Sequence, residues 1–301
     1  MLARLLLYAT LALIMATLHH RLRETYAPYA GSRYDTTSIA EGRSVPPIQR
    51  RILVPLTAVK LHQATGAPLP QIELAIRTAA LTVTLAALDA LLVGLGYGSL
   101  AVVGPLLLAC LLPLGFYVNP VIDSYPAMAV VALGLLLVQL RKGWWSLPLI
   151  LVGAWIRESV LLIPVVVALH GLLHEKDRSW VPLCLAQLAG YAAMRLVLRW
   201  LYPGPDFDWT LGFNLAWVLE AGLAEGVLRL LVLFLPFALA LWGLGRARGM
   251  ARAMGWAGML YGGGLLLVAR LSEPRVFWDA YLLLTPGMVS GLLPFGRRDV
   301  E

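Results

Sequence analysis

The sequence predicts an all-α integral membrane protein that forms a single domain over residues 1–301. Of these residues 59% are hydrophobic and only 14% are charged, and the mean hydropathy is +0.76. Soluble domains carry charge at roughly 25% of their positions. Apolar runs near membrane-crossing length, which is about 20 residues for a helix, also recur along the chain.

These apolar runs predict about eight transmembrane helices. Each is long enough, or nearly so, to cross a hydrocarbon core about 30 Å thick. No internal repeat and no soluble domain separates them. The predicted crossings cover residues 2–19, 70–95, 98–116, 124–140, 179–201, 223–245, 253–271 and 277–295.

The first connection, residues 20–66, predicts an outer loop that contains an interfacial helix. Its apolar segment Ile52–His62 is too short to cross a membrane and contains Pro55. Proline disrupts the interior of a helix, and a short apolar helix is stable in the plane of the interface. We therefore expect this segment to lie along the membrane surface after helix one.

The remaining apolar run, 145–173, predicts a re-entrant helical hairpin. It is too short for two crossings, and basic residues flank both sides of it, at 141–142 and at 176–178. Basic flanks stay preferentially in the cytoplasm, so the run must enter the membrane and return. Each half would reach about 20 Å at ~1.5 Å per residue, which is less than the membrane core.

Arg157 and Glu158 stand at the middle of this run and therefore at the predicted tip. A charge at mid-bilayer costs at least ~2.5–3.5 kcal/mol, so chains that keep one there usually use it. Non-helical backbone at that depth is tolerated when it lines a polar cavity. We expect the tip to face such a cavity.

The basic flanks also predict the orientation, with both termini in the cytoplasm. Residues 20–66 are an exception, because this outer loop is itself basic. A loop that binds phosphate would have its own reason to be basic. The cations are 21 Arg and 3 Lys, a bias that fits an anionic partner but that GC-rich coding could equally produce.

The outer side collects carboxylates and arginines from separate parts of the chain. A carboxylate in a partly dehydrated cleft can act as a general base toward a hydroxyl. Arginines beside it can hold a phosphate and stabilise it as it leaves. The candidate catalytic residues are Asp35, Glu158 and Glu273, and the candidate phosphate-binding residues are Arg50, Arg51, Arg157, Arg275 and Asp123.

Four short motifs occur in order between residues 34 and 277. They are an acidic residue followed by Pro-x-x-x-Arg-Arg-x-Leu-x-Pro after helix one, an acidic-x-x-Pro helix start, an Arg-Glu-Ser step, and an acidic-Pro-Arg-Val-Phe segment. They cover Asp35 with 46–55, then 123–126, 156–159 and 273–277. Together they resemble the outer-side motifs of bacterial GT-C-type membrane glycosyltransferases that depend on polyprenyl-phosphate sugars.

The resemblance implies transfer of a sugar from a polyprenyl-phosphate donor to an acceptor on the outer face of the bacterial inner membrane. It implies Asp35 as the catalytic base and Arg51, Arg157 and Arg275 as groups that hold the donor phosphate. Familiar members have more helices and often a soluble outer domain, so this chain resembles a short form. Many of them use a divalent metal, but we assign no metal ligand in this sequence.

Two other functions fit the same features. Charges facing a membrane cavity also serve lipid or solute transporters and flippases. A non-catalytic membrane subunit of an envelope complex is the other alternative, and it would have a membrane protein partner. The expected ligands are a polyprenyl-phosphate-linked sugar and membrane lipids, and no nucleic acid is expected.

Overall fold

The computed structural model describes residues 2–26, 35–44, 48–113, 122–174, 178–204, 211–220, 223–269 and 274–292. Over these residues the chain is helical and contains no strand, which confirms the all-α prediction. The α-helices of the described part are α1 (Leu2–Tyr26), α2 (Thr36–Ala40), α3 (Leu53–Thr65), α4 (Leu69–Gly94), α5 (Val103–Leu111), α6 (Ser124–Gln139), α7 (Ser146–Gly153), α8 (Leu162–His174), α9 (Trp180–Leu201), α10 (Leu211–Glu220), α11 (Leu223–Leu244), α12 (Gly249–Val268) and α13 (Trp278–Leu292).

Four helices in the described part are long and apolar enough to cross a membrane. They are α1 through Leu2–Leu22, α4, α9, and α11 through Glu225–Leu244. Shorter apolar helices, among them α6, stand between them. The helices therefore support a membrane protein, and eight crossings remain a prediction.

Helix α7 runs alongside α9 in the same direction. Near its start, Ser146 Oγ accepts a hydrogen bond from Gln187 Nε2 at 2.6 Å. Just past its end, the carbonyl oxygen of Ala154 accepts one from Arg195 Nη1 at 3.4 Å. Both residue numbers increase together, so the two helices are parallel.

Helix α8 runs alongside α9 in the opposite direction. Glu158, which precedes α8, pairs with Arg195 near the end of α9. The carbonyl oxygen of Pro164 accepts a hydrogen bond from Cys184 Sγ at 3.6 Å, and Cys184 is closer to the start of α9. The chain thus reverses between Ala154 and Glu158. The first and the last residues of the 145–173 run both lie near the start of α9.

This reversal defines two ends of the helix bundle. The end that holds the turn at residues 154–158 also holds the starts of α6 and α13, because Arg157 contacts Ser124 and Asp279. We call it the charged end. The opposite end, where α6 finishes and α9 and α12 begin, carries Arg141, Lys142, Arg178 and Arg248, and we call it the basic end.

Glycines allow α11 and α13 to approach each other closely near the basic end. A Cβ atom on Gly243 would overlap the carbonyl oxygen of Gly287, and one on Gly291 would meet the carbonyl oxygen of Leu239 at 2.9 Å. Small residues permit this backbone-to-backbone contact between membrane helices. Helix α13 is buried along nearly its whole described length, so this contact positions the central helix of the bundle.

Gly243→Ala is therefore expected to destabilise the protein, because the new methyl group meets rigid backbone. Overpacking of this kind costs about 1–3 kcal/mol. Gly263→Ala, on α12, is the matched control, because its new methyl group would have no neighbour within 4 Å. That control should be neutral or gain about 0.5–1 kcal/mol from its better helix propensity. Thermal unfolding in detergent measures both, and equal melting temperatures would contradict the close approach.

Candidate functional site at the charged end

The loop after α1 meets the turn between α7 and α8. The backbone N–H of Leu53, at the start of α3, donates to the carbonyl oxygen of Trp155 at 3.3 Å. The side chain of Arg51, two residues earlier, donates from Nε to Glu158 Oε2 at 3.1 Å, and its Nη2 lies 3.1 Å from the same oxygen. Two segments about a hundred residues apart are thus joined by their charged residues.

Glu158 is held between two guanidinium groups. Arg51 contacts Oε2, and Arg195 Nη2 donates to Oε1 at 3.0 Å from α9. The Glu158 side chain is 34% exposed, whereas those of Asp123 and Asp279 are fully buried. Among the carboxylates of this cluster in the described residues, Glu158 is therefore the most exposed.

Two buried carboxylates complete the cluster. Asp123, directly before α6, lies 3.6 Å from Arg51 Nη1 through its Oδ2. Asp279, in the first turn of α13, lies 3.7 Å from Arg157 Nη1 through its Oδ2. Arg157 Nη1 also donates to Ser124 Oγ at 3.0 Å. Charges taken out of water in this way are stable only when they are paired.

The backbone at Arg157 explains how its side chain reaches the centre of the bundle. Arg157 has φ −164° and ψ 156°, an extended conformation between α7 and the 3₁₀ turn Glu158–Leu161. Gly153 precedes it, and a Cβ atom there would meet Val130 and Val160 at 2.8 Å. A small residue at 153 and an extended residue at 157 let the chain reverse against α6.

Another arginine, Arg50, lies near Glu158 in the described part of the chain. Arg50 is fully buried and donates to the carbonyl oxygens of Tyr202 at 3.1 Å and Gly204 at 2.6 Å, beyond the end of α9. Burial lowers the pKa of the Arg50 guanidinium, and the positive charges of Arg195 and Arg199 lower it further. Arg50 and Arg195 are therefore close enough for their charges to interact.

The structure brings three of the eight predicted site residues, Arg51, Asp123 and Glu158, into direct contact. Arg157 lies beside them through its contacts with Ser124 and Asp279. Arg50 lies near them, because the negative charge of Glu158 raises the pKa of Arg50 and so opposes the lowering by burial. Arg275 is buried in the 3₁₀ turn Pro274–Phe277, immediately before α13 and four residues before Asp279.

Asp35 occupies a different kind of position. Its carboxylate caps the N-terminus of α2 by accepting a hydrogen bond from the Ser38 N–H at 2.6 Å. The ion pairs of Arg51 and Arg157 go to Asp123, Glu158 and Asp279. A base role for Asp35 stays a prediction, and Glu273 lies outside the described residues.

Sequence reasoning missed Arg195 and Asp279. Both are charged residues inside predicted crossings, 179–201 and 277–295. The cost of burying a charge in the membrane singled out Arg157 and Glu158, and the same argument applies to these two residues. That signal was present in the sequence, but the identity of each partner was not.

Metal ligands do not gather in the part of the chain that the structure describes. No group of three or more His, Cys, Asp or Glu residues there could hold a metal ion. His170 and His174 lie one helical turn apart on α8, with ring centroids 5.6 Å apart, at the other end of the bundle. A divalent metal at the charged end therefore has no ligand set among the described side chains.

No family model, curated protein or solved structure matches this chain. The GT-C resemblance consequently consists of short motifs in a fixed order. The functional argument depends on the chemistry of the charged end.

Proposed function

We propose that this protein is a GT-C-like inverting glycosyltransferase of the bacterial inner membrane. It would move a sugar from a polyprenyl-phosphate donor to an acceptor hydroxyl on the outer face. In this proposal the chain makes eight crossings, α3 lies in the interface, and α7 with α8 forms a re-entrant hairpin whose tip faces outward. Both termini would then be cytoplasmic.

One observation carries the proposal: Glu158 is partly exposed and lies between Arg51 and Arg195. A carboxylate with two arginines is suited to a reaction in which a proton leaves a hydroxyl and a phosphate departs. Arg50 adds a further guanidinium near Glu158.

The donor phosphate would compete with Glu158 for Arg51 and Arg195. Once these arginines bind the phosphate, the Glu158 carboxylate is available to the acceptor hydroxyl. Glu158 takes the hydroxyl proton as the acceptor oxygen bonds to the anomeric carbon from the face opposite the phosphate. The bond between that carbon and the phosphate oxygen breaks, and polyprenyl phosphate leaves with the electron pair, stabilised by the arginines.

The decisive experiment combines native mass spectrometry with a transfer assay on the full-length protein. The purified protein should retain a polyprenyl phosphate, and it should transfer sugar from added polyprenyl-phosphate sugars to hydroxyl acceptors. Glu158→Gln should lower transfer at least about 100-fold, the usual effect of losing a general base. Retained donor binding and an unchanged melting temperature would show that the variant is folded.

Asp35→Asn distinguishes the two candidate bases. Asparagine caps a helix about as well as aspartate, so this variant keeps α2 intact while removing the carboxylate. Loss of transfer in Asp35→Asn alone would assign the base to Asp35. A stable protein partner with no lipid and no transfer would indicate a silent subunit, and movement of an unmodified lipid between leaflets would indicate a flippase.

A further inference from the structure

The basic end of the bundle contains a cavity of about 940 Å³ that the proposed reaction does not use. It lies between the end of α6, the middle of α8 and the starts of α9 and α12. Its lining includes Arg141, Trp144, His170, Trp180 and Arg248. Asp123 lies at the opposite end of α6, and the 16 residues of this helix span about 24 Å.

The lining carries positive charge at this end. Asp89 is the acidic residue that the described part of the chain places there, and it pairs with Arg4 at 2.9 Å. Among the described residues, no carboxylate pairs with Arg141, and the neighbouring Lys142 adds a second exposed cation. An exposed guanidinium at the wall of a cavity is suited to binding an anion.

The backbone at Arg141 gives an independent reason to assign it a role. Arg141 has φ +58° and is the non-glycine residue with positive φ in the described chain. It follows α6 in a Schellman turn, in which Lys142 N–H donates to the Leu137 carbonyl at 2.8 Å. Glycine is preferred at this position, and at comparable helix ends this protein uses Gly42 and Gly66. An unfavourable residue at a cavity wall points to a function of its side chain.

The surroundings of the cavity are apolar. Leu140, Trp145 and Leu172 are 53%, 70% and 70% exposed beside it. Tryptophan at the end of a membrane helix normally lies at the level of the lipid headgroups. Apolar surface beside an anion-binding cavity matches a molecule that has both a charged head and hydrocarbon tails.

From these observations we infer that the cavity binds the phosphate headgroup of an anionic lipid from the cytoplasmic leaflet, with Arg141 as the phosphate ligand. Arginine forms paired hydrogen bonds with phosphate oxygens. A volume of this size accommodates a headgroup, since ligand pockets measure about 300–1,000 Å³. The inference depends on the membrane placement proposed above but not on sugar transfer.

Arg141→Gly tests this inference. The substitution removes the guanidinium and places glycine, which adopts positive φ readily, at position 141. The full-length protein in a neutral detergent is titrated with phosphatidylglycerol and, separately, with phosphatidylcholine, and binding is followed by native mass spectrometry. The variant should bind phosphatidylglycerol about tenfold more weakly, the usual effect of losing one contact to a charged group. Its melting temperature should not fall, and phosphatidylcholine binding should not change.

Arg43→Gln is the matched control, because it removes an arginine that is 65% exposed, pairs with Glu41 and does not line the cavity. It should bind phosphatidylglycerol as the unmodified protein does. Equal binding by Arg141→Gly, or equal affinity for the two lipids, would overturn the inference. If glycerol phosphate displaces the lipid at similar concentrations, the phosphate site stands and a soluble ligand replaces the lipid as its occupant. Unchanged polyprenyl-phosphate binding by Arg141→Gly would keep this result separate from the proposed reaction.

Discussion

Arg157→Met is expected to destabilise the protein by about 3–5 kcal/mol, the usual cost of removing one partner of a buried ion pair. Arg157 is 4% exposed, and its partner Asp279 is not exposed at all. Methionine fills a similar volume, so the loss arises from the carboxylate left without its counter-charge rather than from a cavity. Denaturation in mixed micelles measures the change in the free energy of unfolding.

Two further variants separate this ion-pair effect from general damage. Arg157→Met combined with Asp279→Leu should recover a large part of the lost stability, because no lone charge remains buried. Arg229→Met, on α11, removes an arginine that pairs with the exposed Glu225 and should change stability by no more than about 0.5 kcal/mol. A double variant less stable than Arg157→Met alone would contradict the ion-pair explanation.

The second large effect concerns Arg51 and Arg195. Under the proposed function, Arg51→Gln with Arg195→Gln should lower the transfer rate by about 100- to 1,000-fold or more, since each charge-stabilising donor contributes roughly that much. Donor affinity should fall as well, because both guanidiniums would hold the phosphate. A steady-state transfer assay with polyprenyl-phosphate sugar gives kcat and KM for each variant.

Lysine variants make this test specific. Arg51→Lys keeps the charge but loses the paired hydrogen-bond geometry of the guanidinium, so it should fall between the native protein and Arg51→Gln. Arg43→Gln removes an arginine that pairs with the exposed Glu41 and not with a carboxylate of the cluster, so it should keep the native rate. If the double variant transfers sugar at the native rate, the arginines at Glu158 have no part in the reaction.

The sequence predicted most helices closely, because apolar runs end where polar residues begin. The predicted run 124–140 became Ser124–Gln139, and 223–245 became Leu223–Leu244. A re-entrant hairpin was predicted for the 145–173 run from its length and its basic flanks. In the structure the chain reverses at residues 154–158, which include Arg157 and Glu158, and entry of this hairpin into a membrane stays a prediction. These are local properties of the chain.

Other features depended on pairing across long sequence distances, which periodicity cannot report. Asp35, which the motif resemblance assigned to chemistry, caps the N-terminus of the short helix α2. The sequence showed Arg195 and Asp279 as charges inside apolar runs, but it did not identify their partners. The proximity of Arg51 to Glu158 was expected in outline. The second ion pair of Glu158, with Arg195, was not expected.

The reversal at residues 154–158 also constrains how the protein is assembled. Helices α7 and α8 pack against α6, α9 and α12 more than against each other. Much of the support for this hairpin therefore comes from helices that are synthesised after it. The ribosome must complete α9 before Glu158 can meet Arg195, so the reversal acquires its final contacts only after the following helix has been made.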